Sequence, residues 1–504
     1  MRPGGLSRGR HQPDPFACPL RKRKFAACSA AHRGTRSHRE HVSVVPSRGS
    51  TIMDKRASTN RPRISDGSNG AVRPSVFLTL TLAAALLIGL ALPSPVAAQH
   101  LPLAEPESMG MSSDRFDRLD AVMQRYIDSD MVAGTVTLVA RKGKVVHLSA
   151  LGHRYIEGNE PMPTDAIFVI MSMTKPIVSA ALMMLFEEGH FLLDDPISDY
   201  LPEYADKMVL VETEEEVERV PADRPITFRH VLSHTAGVDP SRNLLTEEER
   251  AEFGRKATLE ETLVARASMP LAFHPGDQWR YGSSTDYVAL LVERISGQGL
   301  DHFLQERIFD PLGMTDTHYN VPDSKVDRIA AVYSPSGPGG TIELRNAPGP
   351  DRPTRYFGGV AGLSSTAPDY FRFSQMILNG GELNGIRLLS PSTVNLMITN
   401  HTGDLPIYIK GADAYGFGLG FSMLTDPAKS RQALTPGTFG WGGAWGTVFW
   451  IDPTEEMITI MMVQISRYGH LTIRQDVANM AMQAITESFH SGKQGIRGYE
   501  AIRR

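Results

Sequence analysis

A hydroxyl and an amine stand three residues apart at the start of a largely apolar segment. The hydroxyl belongs to Ser172 and the amine to Lys175, and residues 176–186 that follow are mostly apolar. Positions i and i+3 of a helix share one face, so the amine can lie beside the hydroxyl. Pro176 is compatible with the first helical turn, where a missing N–H costs little. The segment predicts a buried helix that presents a serine nucleophile with a lysine as its candidate base.

The expected position of Ser172 adds a second chemical element. At the positive end of the helix dipole, its own N–H can face a developing oxyanion. Chance also produces such a spacing, and the alternative is a polar helix cap with a solvated lysine. No other serine of the chain is followed by lysine three positions later. Evidence from other segments is therefore needed to distinguish a nucleophilic Ser172 from a helix cap.

The first 98 residues differ from the remainder of the chain. Residues 1–52 are rich in arginine and lack apolar periodicity, which predicts a disordered extension, or a misannotated start upstream of Met53. Residues 53–98 are predicted to be a signal peptide, because the 17-residue apolar run 76–92 is followed by small residues up to Ala98. Cleavage near Ala98 would give a periplasmic or secreted protein. A membrane anchor is the alternative, although the run is short for a span.

The segment from 99 to 504 is expected to form one domain with its core at about 105–488. Residues 1–98 hold 16 of the 52 Lys and Arg and 4 of the 56 Asp and Glu, leaving 36 basic and 52 acidic residues, a net charge of −16. Such a surface argues against a nucleic-acid partner. Both cysteines, Cys18 and Cys28, precede residue 99, which excludes disulfides and thiolate chemistry in the domain. We expect no metal, no organic cofactor and no stable membrane anchor after cleavage.

Elements that can position these residues are visible at both ends of the domain. Ser113 is a candidate cap of an amphipathic helix, followed by strands 135–141 and 144–148 around a two-residue turn. Near the other end, residues 446–452 and 457–463 form a second candidate hairpin.

A final amphipathic helix is predicted at about 473–489, and the segments between the two hairpins are mostly helical in pattern. Strands at both ends that enclose a helical middle indicate a mixed α/β (α+β) protein. We expect one antiparallel sheet closed by distant segments, with flanking helices and an inserted, mostly helical region.

Two further segments make the chemistry coherent. Tyr281 lies in the sequence WRYGSS at 279–284, and Trp441 lies in FGWGGAWG at 439–446. Together with the segment at Ser172, they resemble the three active-site motifs of the serine beta-lactamase and penicillin-binding-protein superfamily. The likeness is to its class C branch and, within that, to family VIII carboxylesterases. It extends over most of residues 105–488 and implies a beta-lactamase-like fold.

The resemblance assigns a role to each matched residue. It makes Ser172 the acylated nucleophile, Lys175 its helper base and Tyr281 a proton relay beside the lysine. It also implies that the oxyanion is held by the backbone N–H groups of Ser172 and Ala444, the latter following the third motif on an edge strand. An ordinary aromatic at a helix entry is the alternative reading of Tyr281.

The departures from the family pattern concern the substrate. Trp441, Gly442 and Gly443 stand where lactamases usually have Lys-Thr-Gly, and Ser283 stands where they usually have Asn. These four residues are the predicted substrate-binding set, and the lost cation shifts the expectation from lactams and peptides to neutral esters. The alternatives are that Trp441 only packs beside the sheet and that the glycines serve backbone geometry.

Two other motifs are decoys. The Gly-x-Ser-x-Gly pattern at 5–9 lies in the leader, without a strand before it or a helix after it. His230 and His234 are four apart, as in zinc proteases, but Val231 occupies the position of the expected glutamate. A structural role for His234 is favoured over a metal site.

Three functions remain open at this point. The leading one is a serine hydrolase acting through an acyl-enzyme on Ser172, a carboxylesterase on short-chain esters, whose expected partner is a small-molecule ester or amide substrate. The second is a beta-lactamase or D-amino-acid peptidase that uses the same site. The third belongs to another class, a catalytically silent ligand-binding relative, against which the intact Ser172, Lys175 and Tyr281 argue.

Overall fold

The structure describes most of the segment from 99 to 504, which the sequence predicts to be one domain. The computed structural model describes residues 101–488, apart from 214–215, 338, 350–352 and 408–413. The predicted extension and signal peptide, at 1–98, lie outside the described residues. The predicted C-terminal helix, at about 473–489, begins as expected but ends at Gln483, because the chain then turns and Ile485 forms an isolated bridge with Met111. Of the helices in the described ranges, none combines the length and the apolar character needed to cross a membrane.

The described residues form eleven α-helices and sixteen strands, and no strand interrupts the helices from 228 to 312. The α-helices α1 to α11 span, in chain order, Ser113–Asp128, Thr174–Glu187, Phe228–Leu232, Glu247–Glu252, Leu259–Arg266, Ser284–Ser296, Leu300–Leu304, Asp310–Leu312, Ala367–Leu378, Pro391–Met397 and Ile473–Gln483. The strands β1 to β16 span Gly134–Arg141, Lys144–Tyr155, Glu160–Pro161, Phe168–Val169, Met208–Glu212, Val217–Pro221, Val332–Pro335, Ile342–Asn346, Ser364–Ser365, Glu382–Leu383, Ile386–Arg387, Tyr415–Phe417, Ser422–Leu424, Phe439–Gly442, Val448–Asp452 and Met457–Met462. Single 3₁₀ turns include Met171–Met173, and Gln305–Phe309 forms a π-helical turn.

One large antiparallel sheet organises the described residues. Its eight strands run in the order β12-β13-β14-β15-β16-β1-β2-β3. The predicted hairpins are both present, and β1 pairs with β16, so that Val136 lies opposite Met462. The predicted closure of one sheet by distant segments is confirmed.

The two faces of the sheet carry separate cores because strand side chains alternate in direction. Leu138 of β1 and Ile460 of β16 belong to the core formed with the helical region, whereas Val139 and Met461 belong to a second core. The terminal helices α1 and α11 cover the second core, through Phe116, Leu119, Met123, Ile473 and Val477. The predicted arrangement of flanking helices is confirmed.

Helix α2 is the buried helix expected after Ser172. Its residues from Thr174 to Leu185 are all buried, and the helix packs against α6. Ser172 itself precedes the helix, in the 3₁₀ turn Met171–Met173. The hydroxyl therefore lies at the helix entry rather than on the first helical turn.

Two local predictions were wrong. Ser113 does not cap α1 but begins it, and its N–H and hydroxyl both donate to Glu107 Oε1, at 2.8 and 2.7 Å. The strand of the third motif, β14, is not an edge strand, because β12 and β13 extend the sheet beyond it. The pairing with β13 involves only Phe439 and Gly440, so the Trp441–Gly442 end has a strand partner only in β15.

Candidate active site

Ser172 lies in a turn that is fixed from both sides. Ile170 donates its N–H to Leu363 O at 3.0 Å, and Met173 O accepts the Tyr370 hydroxyl at 2.9 Å. Met171 has φ 48°, a left-handed conformation that costs a residue other than glycine about 1–3 kcal/mol. The surrounding contacts hold this conformation, and they place Ser172 at the N-terminal end of α2.

The three predicted catalytic side chains meet at one oxygen atom. Ser172 Oγ lies 3.2 Å from Lys175 Nζ and 2.8 Å from the Tyr281 hydroxyl, and both groups donate to it. Lys175 is 1% exposed, so its amine has almost no access to water. The arrangement is that of a nucleophile with two groups able to exchange its proton.

A buried carboxylate supports Lys175 through one backbone residue. Lys175 Nζ donates to Val360 O at 2.9 Å, and Val360 N–H donates to Asp286 Oδ1, also at 2.9 Å. The second carboxylate oxygen of Asp286 accepts the Tyr356 hydroxyl at 3.0 Å. Burial raises the pKa of Asp286, while these hydrogen bonds and the charge of Lys175 oppose that shift. The sequence analysis missed Asp286, although its place in the first turn after the second motif was a usable signal.

Tyr281 lies at the entry of α6, with aromatic and cationic neighbours on several sides. Its hydroxyl accepts a hydrogen bond from Trp441 Nε1 at 3.3 Å, and the two rings are 5.1 Å apart. Lys175 Nζ is 4.7 Å from the centre of the phenol ring. Trp441 therefore contacts the candidate proton relay, which neither reading of it in the sequence had foreseen.

His234 lies in the aromatic cluster behind Tyr281. It is 1% exposed, and its ring is 5.0 Å from Tyr281 and 5.2 Å from Phe417. Within the part of the chain that the structure describes, its Nδ1 has no hydrogen-bond partner. Burial, with the nearby charge of Lys175, holds the pKa of His234 well below its usual range. The ring is therefore a neutral packing surface for Tyr281.

His230 and His234 do not share a helix face. Helix α3 ends at Leu232, and His234 has φ 60°, outside helical geometry. His230 instead accepts the Thr227 N–H at 3.1 Å, as part of the N-terminal cap of α3. This geometry agrees with the structural role favoured for His234.

The third motif touches the turn that carries Ser172. After β14 the chain turns at 443–446, where Gly446 N–H donates to Gly443 O at 3.1 Å. A Cβ on Gly443 would lie 2.4 Å from Ile170 O, so only glycine allows this approach. A Cβ on Gly442 would meet the Arg474 guanidinium at 2.9 Å. Ala444, the predicted oxyanion donor, is exposed at the tip of the turn.

Ser283 holds the second motif to another loop. Its N–H and its hydroxyl both donate to the carboxylate of Asp239, at 2.7 and 2.6 Å. These bonds position the backbone directly after Tyr281. A contact between Ser283 and substrate stays a prediction.

Arg474 lies behind the third motif, and the sequence analysis missed it. From the start of α11 its guanidinium donates to the carbonyl oxygens of Gly443, Gly446 and Thr447, the last two at 3.1 and 2.6 Å. Cζ is 4.4 Å from the centre of the Tyr468 ring. An arginine some 30 residues beyond the motif gives no local signal of this contact.

Comparison with known proteins gives a match to one family and to individual relatives. The Beta-lactamase family model matches residues 119–477. Protein Rv1367c of Mycobacterium tuberculosis is 34% identical over 365 residues, covering 69% of this chain and 90% of that protein. Esterase EstB of Burkholderia gladioli is 28% identical over 383 residues, covering 70% and 91%.

A solved structure extends the likeness to the fold. EstCE1, described as a hydrolase with promiscuous acyltransferase activity, superposes with a TM-score of 0.61 at 25% identity. The match covers 74% of this chain and 98% of that one. The mixed fold with a large antiparallel sheet is thus shared with a known hydrolase.

Protonation of His234 should couple stability to pH. Because its pKa is lowered by folding, the unfolded chain binds more protons once the pH falls below about 6.5, the ordinary value. The free energy of unfolding should therefore decrease as the pH is lowered from 7 to 5. For the variant His234→Asn, the free energy of unfolding should decrease less steeply over the same range. Urea unfolding at several pH values measures both slopes. His190→Asn, at a half-exposed histidine, is the control, and equal slopes for all three proteins would contradict the prediction.

Proposed function

The chain belongs to the Beta-lactamase family, and from that membership we propose that it is a serine carboxylesterase whose acyl-enzyme forms on Ser172. The observation that carries the proposal is the convergence of Lys175 and Tyr281 on Ser172 Oγ, at 3.2 and 2.8 Å. A serine in this setting can attack a carbonyl carbon while its proton moves to a neighbour already in contact.

The proposed reaction has two halves. In the first, Ser172 Oγ bonds to the ester carbonyl carbon and its proton passes to the Tyr281–Lys175 pair, which reacts in the form that lacks one proton, as phenolate with ammonium or as phenol with neutral amine. The carbonyl oxygen becomes an oxyanion, and the N–H groups of Ser172 and Ala444 are its proposed donors. The C–O bond to the alcohol then breaks, and the alcohol leaves with the transferred proton. In the second half, water repeats the same steps and releases the acid.

The contact between Trp441 and Tyr281 is compatible with the proposed proton transfer through Tyr281. The indole N–H points at the phenol oxygen, 3.3 Å away, and it stabilises negative charge that develops there when the proton leaves. Lys175 Nζ, 4.7 Å from the ring centre, acts in the same direction. Trp441 thereby supplies a donor near Tyr281 without supplying a cation for a substrate carboxylate.

A neutral ester suits the surroundings of the site. Trp441 and Tyr281 are the outer members of an aromatic cluster whose buried part is formed by Phe417 and Trp279. The third motif itself contributes no cation to it. The name of the relative EstB supports an ester as substrate. Short acyl chains are the proposed preference.

Acyl transfer to an alcohol is a second candidate function. Tyr281 is 39% exposed, so an acceptor alcohol as well as water has access to it. The description of EstCE1 names promiscuous acyltransferase activity beside hydrolysis. In this case the acyl group of Ser172 would pass to an added alcohol and form a new ester.

Ser172→Ala should abolish ester hydrolysis. We expect turnover of p-nitrophenyl acetate and butyrate to fall by at least about 10³-fold, because the covalent step loses its nucleophile. A chromogenic cephalosporin assayed in parallel should be a poor substrate of the unmodified protein. Ser179→Ala, on the same helix, is the control and should keep its activity. Dominant cephalosporin turnover would favour the lactamase alternative, and ester turnover that survives Ser172→Ala would refute the proposal.

Trp441→Phe tests the contribution of the indole N–H that donates to the Tyr281 hydroxyl. The variant keeps an aromatic ring but loses the N–H, so kcat should fall about 3- to 10-fold, the effect of one lost hydrogen bond, with little change in KM. Trp450→Phe, on the neighbouring strand β15, is the matched control. Equal kcat values for the two variants would show that Trp441 acts only through packing.

Export of the protein is proposed from the apolar run at 76–92 and the small residues that follow it. When the full chain is produced in a bacterial host with a secretion system, the mature protein should begin near Gln99. N-terminal sequencing of the periplasmic or secreted fraction measures this. Activity confined to the cytoplasm, with residues 53–98 retained, would contradict the proposal.

A further inference from the structure

The turn at 443–446 faces Ser172 on one side and Arg474 on the other. The alternating directions of the side chains along the preceding strand distinguish the two sides. Successive residues of a strand point to opposite faces of the sheet. The side chain of Trp441 is directed at Tyr281, whereas a Cβ on Gly442 would meet Arg474 at 2.9 Å. A Cβ on Gly443 would again point forward, to Ile170 O beside the Ser172 turn. Arg474 therefore lies behind the third motif, and Ser172 lies in front of it.

From behind, one guanidinium organises the whole turn. It donates to the carbonyl oxygens of Gly443, Gly446 and Thr447. Arg474 is well suited to this because its planar group offers several donors in a fixed geometry. Three carbonyls held by one rigid group leave the turn little freedom to rotate its peptide planes.

The contact with Gly443 O determines the direction of the neighbouring N–H. In a trans peptide, the C=O of one residue and the N–H of the next point in opposite directions. Because Gly443 O points back to Arg474, the N–H of Ala444 points forward, away from Arg474. If the peptide between Gly443 and Ala444 rotated, this donor would be lost from the front of the turn.

The charge of Arg474 is directed at these carbonyls. In the described ranges of the chain, no carboxylate forms an ion pair with it, and the Tyr468 ring covers one side. One guanidinium therefore binds three carbonyl oxygens of a single turn rather than a carboxylate. The positive charge of Arg474 therefore lies next to the backbone of the turn beside the candidate site.

We propose that Arg474 is a positioning residue that aims the Ala444 N–H at the oxyanion, acting through the Gly443–Ala444 peptide. The inference rests on the proposed acyl-enzyme function. It goes beyond that function because it assigns the formation of the oxyanion site to a side chain on the terminal helix. Arg474 itself does not touch the substrate.

Two substitutions test the assignment in the full-length protein. Loss of one oxyanion donor typically lowers the rate about 10²- to 10³-fold. Arg474→Ala, which loosens the donor without deleting it, should lower kcat by about 10- to 100-fold and change KM less than about threefold. Arg474→Lys keeps the positive charge but loses the planar set of N–H donors. Its kcat should lie between those of Arg474→Ala and the unmodified protein.

A tetrahedral probe separates positioning from a merely structural role. Phenylboronic acid bonds reversibly to a serine oxygen and places a boron hydroxyl in the oxyanion position, so its inhibition constant should weaken in parallel with kcat. Added guanidinium chloride at millimolar concentration should restore part of the kcat of Arg474→Ala. Arg115→Ala removes an arginine contact with the other end of α11, at Gln483 O, and should leave kcat and boronate affinity unchanged.

The outcomes are distinguishable. If Arg474→Ala lowers the melting temperature but keeps kcat and boronate affinity within about threefold, the inference is overturned. If Arg474→Ala does not fold, Arg474→Lys decides by the same criteria. If the unmodified protein hydrolyses no ester yet binds the boronate through Ser172, the proposed esterase function fails. The boronate affinities of the variants still test Arg474 in that case.

Discussion

The antiparallel pairing of β1 with β16 is the constraint on which the rest of the structure depends. It joins strands more than 300 residues apart, with Val136 opposite Met462, and both strands are buried on both faces. This pairing fixes the C-terminal hairpin, and with it β14 and the third motif. It also brings α11 onto the sheet beside α1. Without it, Trp441 and Arg474 could not lie on the two sides of one turn next to Ser172.

The side chains that contact Ser172 are held in place by residues that do not contact Ser172 themselves. Lys175 is held by Val360, which is held in turn by the buried carboxylate of Asp286. Tyr281 is supported by His234 on one side and by Trp441 on another. Around the buried amine of Lys175, electrostatic interactions are stronger than in water, so small displacements have large effects on its interaction with Ser172. The supporting residues therefore matter as much for chemistry as for packing.

The replacement of a cationic third motif by Trp441-Gly442-Gly443 changes the electrostatics of the site in a specific way. The indole keeps an N–H donor on the Tyr281 oxygen but removes a positive charge from the substrate side. Arg474 places a positive charge behind the turn, where it is bound to backbone carbonyls. Such a site offers little to a substrate carboxylate, which fits the proposed ester substrate better than a lactam or a peptide.

The sequence by itself determined the local elements and the chemical motifs. The buried helix after Ser172, the two hairpins and the Ser172–Lys175 pair follow from periodicity and from residue types at short spacing. Tyr281 is assigned through the resemblance of its segment to the second motif of the family. Only the tertiary structure decided that β12 and β13 flank β14, that Asp286 supports Lys175, and that Arg474 reaches the third motif. Those contacts join distant segments, and a side chain carries no local sign of a partner that only the folded sheet brings to it. The same holds for Trp441, whose contact with Tyr281 spans 160 residues.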